Sequence, residues 1–128
     1  MSGINDVFIN YPIINVDSRG WLVEGARVDS FFFNPAMVYA SMTKPGVVRG
    51  PHEHVNQADI FFFMGSGSFD LYLWDNRPQS TTFGVHVVLH GLGLTTPCTV
   101  RIPPGVVHAY KNVSNEAGLV VNLPDKLY

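Results

Sequence analysis

The hydrophobic residues of this chain are grouped in short runs rich in Val, Ile, Phe and Tyr, and glycine or proline separates the runs every several residues. Such runs are typical of β-strands joined by turns. The strongest signals lie at residues 47–48, 60–64, 69–74, 85–89, 98–102 and 119–123. No window of a dozen residues keeps a helical period, so we expect little helix.

One of these runs alternates strictly. Positions 69, 71 and 73 are Phe, Leu and Leu, whereas positions 70, 72 and 74 are Asp, Tyr and Trp, so the two sets fall on opposite faces of a strand. The 12 glycines and 9 prolines are spread along the chain and form no linker, which predicts a single domain over residues 1–128. Many short strands with Gly or Pro turns predict an all-β jelly roll.

The charge and composition of the chain limit which kinds of ligand and partner it can bind. Eight basic and ten acidic residues leave a formal net charge of −2, which provides no overall field for nucleic acid or an anionic membrane. An anionic ligand must therefore be bound by individual arginines.

No apolar run approaches the ~18 residues of a membrane helix. The single cysteine, Cys98, excludes an internal disulfide, and with no basic leader or long apolar stretch at the N-terminus it favours a cytoplasmic protein.

Histidines and a carboxylate mark the candidate site. His52 and His54 are two residues apart, so in a strand they project to the same side. Asp59 opens the next apolar run, and we expect a hairpin to return its carboxylate beside them. His108 follows a Pro-Gly turn much further along the chain.

Three imidazoles and one carboxylate form a donor set that suits Fe, Mn, Ni, Co or Zn with open coordination positions. His52, His54, Asp59 and His108 are therefore candidate ligands for a divalent metal. The alternative is that the same residues line a solvated cavity without a metal.

These two stretches resemble the paired motifs of the cupin superfamily. The first motif runs from Gly46 through the His-x-His pair to an acidic residue, and the second is Pro-x-Gly-x-x-His-x-x-x-Asn from Pro103 to Asn112. Asp59 stands where cupins usually carry Glu, and Pro97 stands where a glycine opens the second motif. The resemblance implies a cupin double-stranded β-helix.

A narrower resemblance covers most of the chain. Its segments are Asp-Ser-Arg-Gly at 17–20 with Glu at 24, Gly-Val-Val-Arg-Gly-Pro-His at 46–52, Phe-Asp at 69–70, Asp-Asn-Arg at 75–77, Ser-Thr-Thr-Phe-Gly at 80–84, and Ile-Pro-Pro-Gly-Val-Val-His at 102–108. In order and spacing they are similar to the dTDP-4-dehydrorhamnose 3,5-epimerase family. Its members are cofactor-free dimeric cupins that move protons beside the ketone of a nucleotide-linked 4-keto-6-deoxy sugar.

The resemblance implies roles for particular residues. His52 takes the place of the catalytic base, Arg19 and Arg49 take the places of arginines that bind the diphosphate, and His108 takes that of a second active-site histidine. These residue types suit the tasks, because an imidazole is a base near neutral pH and the guanidinium fork binds phosphate oxygens in pairs.

The chain also departs from the family pattern. Counting forward from His108, the family's proton-donating tyrosine falls at Val121, and its lysine falls at Ala58 or Asp59. The family's C-terminal segment, with an aspartate that orients the base, falls beyond Tyr128. Tyr110 shares the face of His108 and is the best local replacement for the acid, with Tyr72 and Tyr39 as weaker candidates.

Three functions follow as hypotheses. The first is a sugar-nucleotide epimerase or isomerase with His52 as base; the second is a metal-dependent cupin, either an isomerase or an oxygenase; the third is a non-catalytic sugar-nucleotide binding module. Strand parity and the spacing of the two motifs place His52, His54 and His108 in one cavity, with His52 and His108 within roughly 10 Å of each other. Phenylalanine triplets at 31–33 and 61–63 offer apolar strand surface beyond the needs of one small core and favour a homodimer.

Overall fold

A computed structural model describes residues 3–30 and 32–127 of the chain. Strands are the regular elements of these ranges, which contain no helix. In chain order the strands are β1 (Phe8–Asn10), β2 (Ile14–Asp17), β3 (Gly20–Val23), β4 (Tyr39–Thr43), β5 (Val48–His52), β6 (Asp59–Phe63), β7 (Ser68–Asp75), β8 (His86–Gly93), β9 (Cys98–Ile102), β10 (Val106–Asn112) and β11 (Gly118–Pro124).

The long strands form two antiparallel sheets. The larger sheet has the order β1-β9-β6-β11-β4 and the smaller one the order β5-β10-β7-β8, while β2 and β3 form a separate hairpin. Consecutive strands such as β4 and β5, or β5 and β6, alternate between the two sheets, as in a jelly roll. The all-β prediction is confirmed. Nowhere in the described ranges is there a helix that could span a membrane.

The core fills the space between the two sheets. Strand β7 alternates as its sequence predicted, with Phe69, Leu71 and Leu73 buried. From the facing sheet, Phe61 and Phe63 of β6 point inward, and the ring of Phe63 lies 5.7 Å from that of Phe69. Burial of these side chains is the main source of stability in such a sandwich.

The predicted hairpin between the His-x-His pair and Asp59 is wrong. Strand β5 pairs with β10 in the smaller sheet, whereas β6 pairs with β9 and β11 in the larger sheet. The chain crosses between sheets at residues 53–58, and this crossover, rather than a ladder of hydrogen bonds, brings Asp59 toward the histidines.

Outside the core, the N-terminal hairpin of β2 and β3 exposes apolar side chains. Val16 is 76% exposed, Leu22 is 60% exposed and Trp21 is 50% exposed. Val16 and Trp21 are register partners and share one face of the hairpin, whereas Leu22 lies on its other face. Of the phenylalanines at 31–33, Phe31 lies outside the described residues, and Phe32 is exposed.

Candidate active site

A cavity of about 630 Å³ lies between the two sheets. Both sheets contribute to its wall: the larger sheet through β4, β6 and β11, and the smaller one through β5 and β10. The lining residues are Tyr39, Ser41, Val48, Arg49, Gly50, His52, His54, Gln57, Asp59, Phe61, His108, Tyr110 and Asn122. Most of the residues that the sequence marked therefore meet in one place.

Strands β5 and β10 bring two histidines side by side. His52 is the register partner of His108, and their ring centroids are 6.1 Å apart, which confirms the expectation that they share a cavity. Gly50 makes this approach possible. Its φ is +100°, and a Cβ at this position would lie 2.8 Å from the carbonyl oxygen of His108, so only glycine fits without displacing backbone.

Asp59 is the buried centre of a second group in the cavity. Its Oδ2 lies 3.0 Å from Nε2 of His54 and 3.5 Å from Nε2 of His108, while Gln57 donates to Oδ1 at 2.8 Å. Burial favours the neutral acid, but hydrogen bonds from His108 and Gln57 outweigh it and hold the pKa of Asp59 below its usual value. The cavity therefore contains a negative charge on Asp59, one of the two positions, with Ala58, at which the sequence comparison expected the family's lysine.

The ring of His108 has a defined orientation. Its Nδ1 lies 3.1 Å from the carbonyl oxygen of Val106, and its Nε2 faces Asp59. The ring of Phe61, 5.5 Å away, packs against the imidazole and holds it in place.

A metal site is compatible with part of this arrangement. The ligand atoms of His54, Asp59 and His108 all lie within 4.8 Å of one another, and two imidazoles with a carboxylate are a donor set that suits Fe, Mn, Co, Ni or Zn. His52 is not part of this group.

His52 lies closer to solvent than His108 and Asp59. Desolvation within the cavity, followed by the positive charges that His108 and His54 can carry, lowers the pKa of His52, and Asp59 opposes this effect. A lowered pKa leaves the imidazole neutral and able to accept a proton at neutral pH.

Of the two predicted anion-binding arginines, one lies at the cavity. Arg49 on β5 donates to Oγ1 of Thr43 at 2.8 Å and to the carbonyl oxygen of Met42 at 2.9 Å, both on β4. These two bonds fix the guanidinium at the cavity and use two of its five donors. Arg19, in contrast, lies at the turn of the β2–β3 hairpin, 89% exposed and paired with Asp17, and is not among the described lining residues.

Tyr110 forms the floor of the cavity. It is 6% exposed, and its ring packs against Phe61, Phe63 and Phe69 at centroid distances between 5.5 and 5.6 Å. Its hydroxyl lies 3.4 Å from that of Ser41, and burial raises the pKa of the phenol. The side chain is at once a core residue and a part of the cavity wall.

The counted position of the family's tyrosine falls on the wrong face of β11. Side chains at even positions of β11 are buried, and those at odd positions are half-buried on the outer face, so Val121 is not among the described residues that line the cavity. The next residue, Asn122, does line the cavity. Its Nδ2 donates to the hydroxyl of Tyr39 at 2.5 Å, directly across the β4–β11 pair. The one sequence signal for Asn122 was a polar residue within an apolar run.

Fold and site together define a cupin: an antiparallel jelly roll whose central cavity is lined by histidines from two conserved-type motifs, at 46–59 and 103–112. Within that class, the model of the dTDP-4-dehydrorhamnose 3,5-epimerase family matches residues 1–128. The chain belongs to this family of sugar-nucleotide isomerases, so the resemblance found in the sequence is confirmed.

A curated relative agrees with this assignment, and two solved structures share the fold. A probable low-salt glycan biosynthesis epimerase, Agl13 of Haloferax volcanii, is 35% identical over 130 residues, covering 100% of this chain and 83% of that protein. A dTDP sugar isomerase from Desulfovibrio desulfuricans G20 superposes with a TM-score of 0.89 at 21% identity, covering 98% of this chain and 80% of the other. The 3'-monoepimerase ChmJ from Streptomyces bikiniensis, in complex with dTDP-quinovose, gives a TM-score of 0.87 at 24% identity, covering 98% of this chain and 66% of the other.

Proposed function

We propose that the protein epimerises a nucleotide-linked 4-keto-6-deoxy sugar, with His52 as the base that removes a proton from carbon 3 or carbon 5, beside the ketone. The observation that carries the proposal is the position of His52, on the wall of a 630 Å³ cavity and in register with His108. The proton beside a ketone is acidic enough for an imidazole, provided that the enolate oxygen meets a donor. The reaction requires no cofactor.

Substrate binding in this proposal uses the same wall. Arg49 is fixed at the cavity by its bonds to β4, with donors left for the oxygens of a diphosphate. His108 stands beside His52 and contacts the sugar. Arg19 remains our prediction for a second diphosphate contact. ChmJ, which binds dTDP-quinovose, supports a dTDP-linked sugar as the ligand class.

The test is solvent exchange. Incubation with a nucleotide-linked 4-keto-6-deoxy sugar in heavy water should introduce deuterium at carbon 3, carbon 5 or both, and mass spectrometry with NMR locates it. His52→Asn should abolish the exchange and leave nucleotide binding nearly unchanged. His86→Asn is the matched control, because His86 stacks on Trp74 outside the cavity.

Failure of this test has a definite meaning. A wild-type protein that binds the sugar nucleotide and incorporates no deuterium over hours is a binding module and not an epimerase. Exchange that survives in His52→Asn would instead assign the base to another cavity residue.

The geometry of His54, Asp59 and His108 supports a second candidate, a metal-dependent cupin of the isomerase or oxygenase class. These three residues would hold the ion, with His52 as the predicted fourth ligand, and the ion would act as a Lewis acid. Metal analysis of protein purified without an affinity tag distinguishes the metal-dependent cupin from the metal-free epimerase. Stoichiometric metal that is lost in His54→Ala favours this candidate, whereas exchange that persists with a chelator favours the metal-free epimerase.

We also propose that the protein is a homodimer and that it is located in the cytoplasm. The apolar side chains of the β2–β3 hairpin need a covering surface, and a second copy of the chain provides one. The free thiol of Cys98, buried in the core, fits a reducing compartment.

A further inference from the structure

Asn122 lines the cavity and has a buried polar atom without a partner in the described part of the chain. Its side chain is 3% exposed, and Oδ1 has no hydrogen-bond partner among the described residues. A buried oxygen without a partner costs free energy, so the position needs an explanation, and the other end of the amide supplies one.

The other end of the same amide holds Tyr39. Nδ2 of Asn122 donates to the phenolic oxygen, which acts as the acceptor in this bond. Tyr39 lines the cavity and is 40% exposed. The pair thus combines a proton donor with a group that fixes its position.

The two sheets place this pair opposite the base. Tyr39 and Asn122 belong to β4 and β11 of the larger sheet, whereas His52 belongs to β5 of the smaller sheet, and the cavity lies between them. Inversion at a carbon requires that the proton leaves from one face and returns to the other. The donor must therefore stand on the wall that faces the base.

Tyr110 meets this requirement less well. It belongs to β10, in the same sheet as His52, and its hydroxyl lies deep in the floor beside Ser41.

We propose that Tyr39 is the proton donor of this enzyme, and that Asn122 is a positioning residue that holds its hydroxyl. This inference rests on the proposed epimerase function. His52 takes the proton, the electron pair of the broken C–H bond forms the enolate, and the O–H of Tyr39 gives its proton to the opposite face of that carbon. Water then reprotonates the phenolate and removes the proton from His52.

The experiment compares deuterium exchange with net product in heavy water. In Tyr39→Phe, product formation should fall about 10²-fold or more, as is usual for loss of an acid, while exchange driven by His52 persists. Tyr11→Phe is the matched control and should retain product formation, because Tyr11 is exposed and is not among the described residues that line the cavity. Tyr110→Phe tests the alternative donor. Unfolding temperatures of the three variants show whether they fold like the wild type.

Asn122→Ala tests the positioning role through a readout that general destabilisation would not move. The ratio of product to exchange should fall as in Tyr39→Phe with nucleotide affinity unchanged. The double variant should be no worse than Tyr39→Phe alone, because the two residues act as one unit.

The possible failures are distinguishable. Absence of exchange in the wild type overturns the proposed function and this inference with it. Wild-type exchange with normal product formation in Tyr39→Phe overturns the inference alone, and a selective loss of product in Tyr110→Phe assigns the donor to Tyr110.

Discussion

Asp75 illustrates how a single buried carboxylate can stabilise this fold. It accepts hydrogen bonds from Nε of Arg77 at 2.8 Å, from the Ser80 hydroxyl at 2.5 Å and from the Thr82 hydroxyl at 2.6 Å. The bond from Arg77, joined by those of the two hydroxyls, outweighs burial and holds the pKa of Asp75 far below its usual value. The network closes the loop after β7 and fixes one end of the smaller sheet.

We predict that Asp75→Asn lowers the free energy of unfolding by about 2 kcal/mol at pH 7, because the ionised acceptor is lost. A carboxyl whose pKa is lower in the folded state stabilises above its unfolded pKa, near 3.8, and this stabilisation is lost as pH falls toward the folded value. The difference between wild type and variant should therefore shrink below pH 4. Urea unfolding at pH 7 and pH 3 measures it.

Asp29→Asn is the control for that measurement. Asp29 also pairs with an arginine, Arg27, but its side chain is 63% exposed, so solvent screens the pair. We expect no measurable change in the free energy of unfolding. An equal loss in both variants, or a loss at Asp75 that is independent of pH, would contradict the argument.

The sequence predicted one part of the site and missed another for a physical reason. His52, His54, Asp59 and His108 were found because strand parity and motif spacing place them within two short stretches. The contact of Tyr39 with Asn122 joins residues 83 positions apart and depends on the register of β4 against β11. No local pattern encodes that register, and counting along the chain gave the neighbouring residue, Val121.

At the scale of elements, strand β5 depends on the glycine at its centre. Gly50 combines a φ of +100° with close contact to the backbone of β10. Gly46, before β5, has a φ of +76°, and a Cβ added there would meet no atom within 4 Å. Alanine substitutions at the two positions therefore distinguish the cost of backbone strain alone from the cost of strain combined with steric collision.

We predict that Gly50→Ala lowers the free energy of unfolding by at least about 3 kcal/mol, from strain and from collision with the His108 carbonyl, whereas Gly46→Ala costs about 1 kcal/mol from strain alone. Chemical denaturation of the two variants measures the difference. Equal losses would show that β10 yields to the added methyl group without cost.

Elements differ in how clearly the sequence encodes them. Strand β7 alternates between core and outer face over eight residues, and its pattern predicted it. Strand β10 was not among the predicted runs, since it lies in the interior of its sheet with five consecutive buried residues and no alternation. Strands β1 to β4 have three to five residues each and mostly exposed side chains, so their apolar signal is weak.

For the whole molecule, the exposed β2–β3 hairpin leads to a prediction about assembly. We expect sedimentation at micromolar protein to give a species of twice 14.2 kDa, and Leu22→Asp to shift it toward the monomer, because a charge in the interface would lose its water. Val113→Asp, in the turn after β10, is the control and should leave the mass unchanged. A single 14.2 kDa species for the wild type would count against the dimer.

Arg49 already ties the two sheets together, because its side chain starts on β5 and bonds to β4, and each of these strands is an outer strand of its sheet. A sugar nucleotide held by Arg49 and His52 on one side and by the pair of Tyr39 and Asn122 on the other would form a second connection between the two sheets. Transient separation of the sheets would then become rarer, and amide hydrogens of both outer strands would exchange more slowly with solvent. A nucleoside diphosphate without its sugar reaches only one side, so it should slow exchange in β5 and leave β4 free to open.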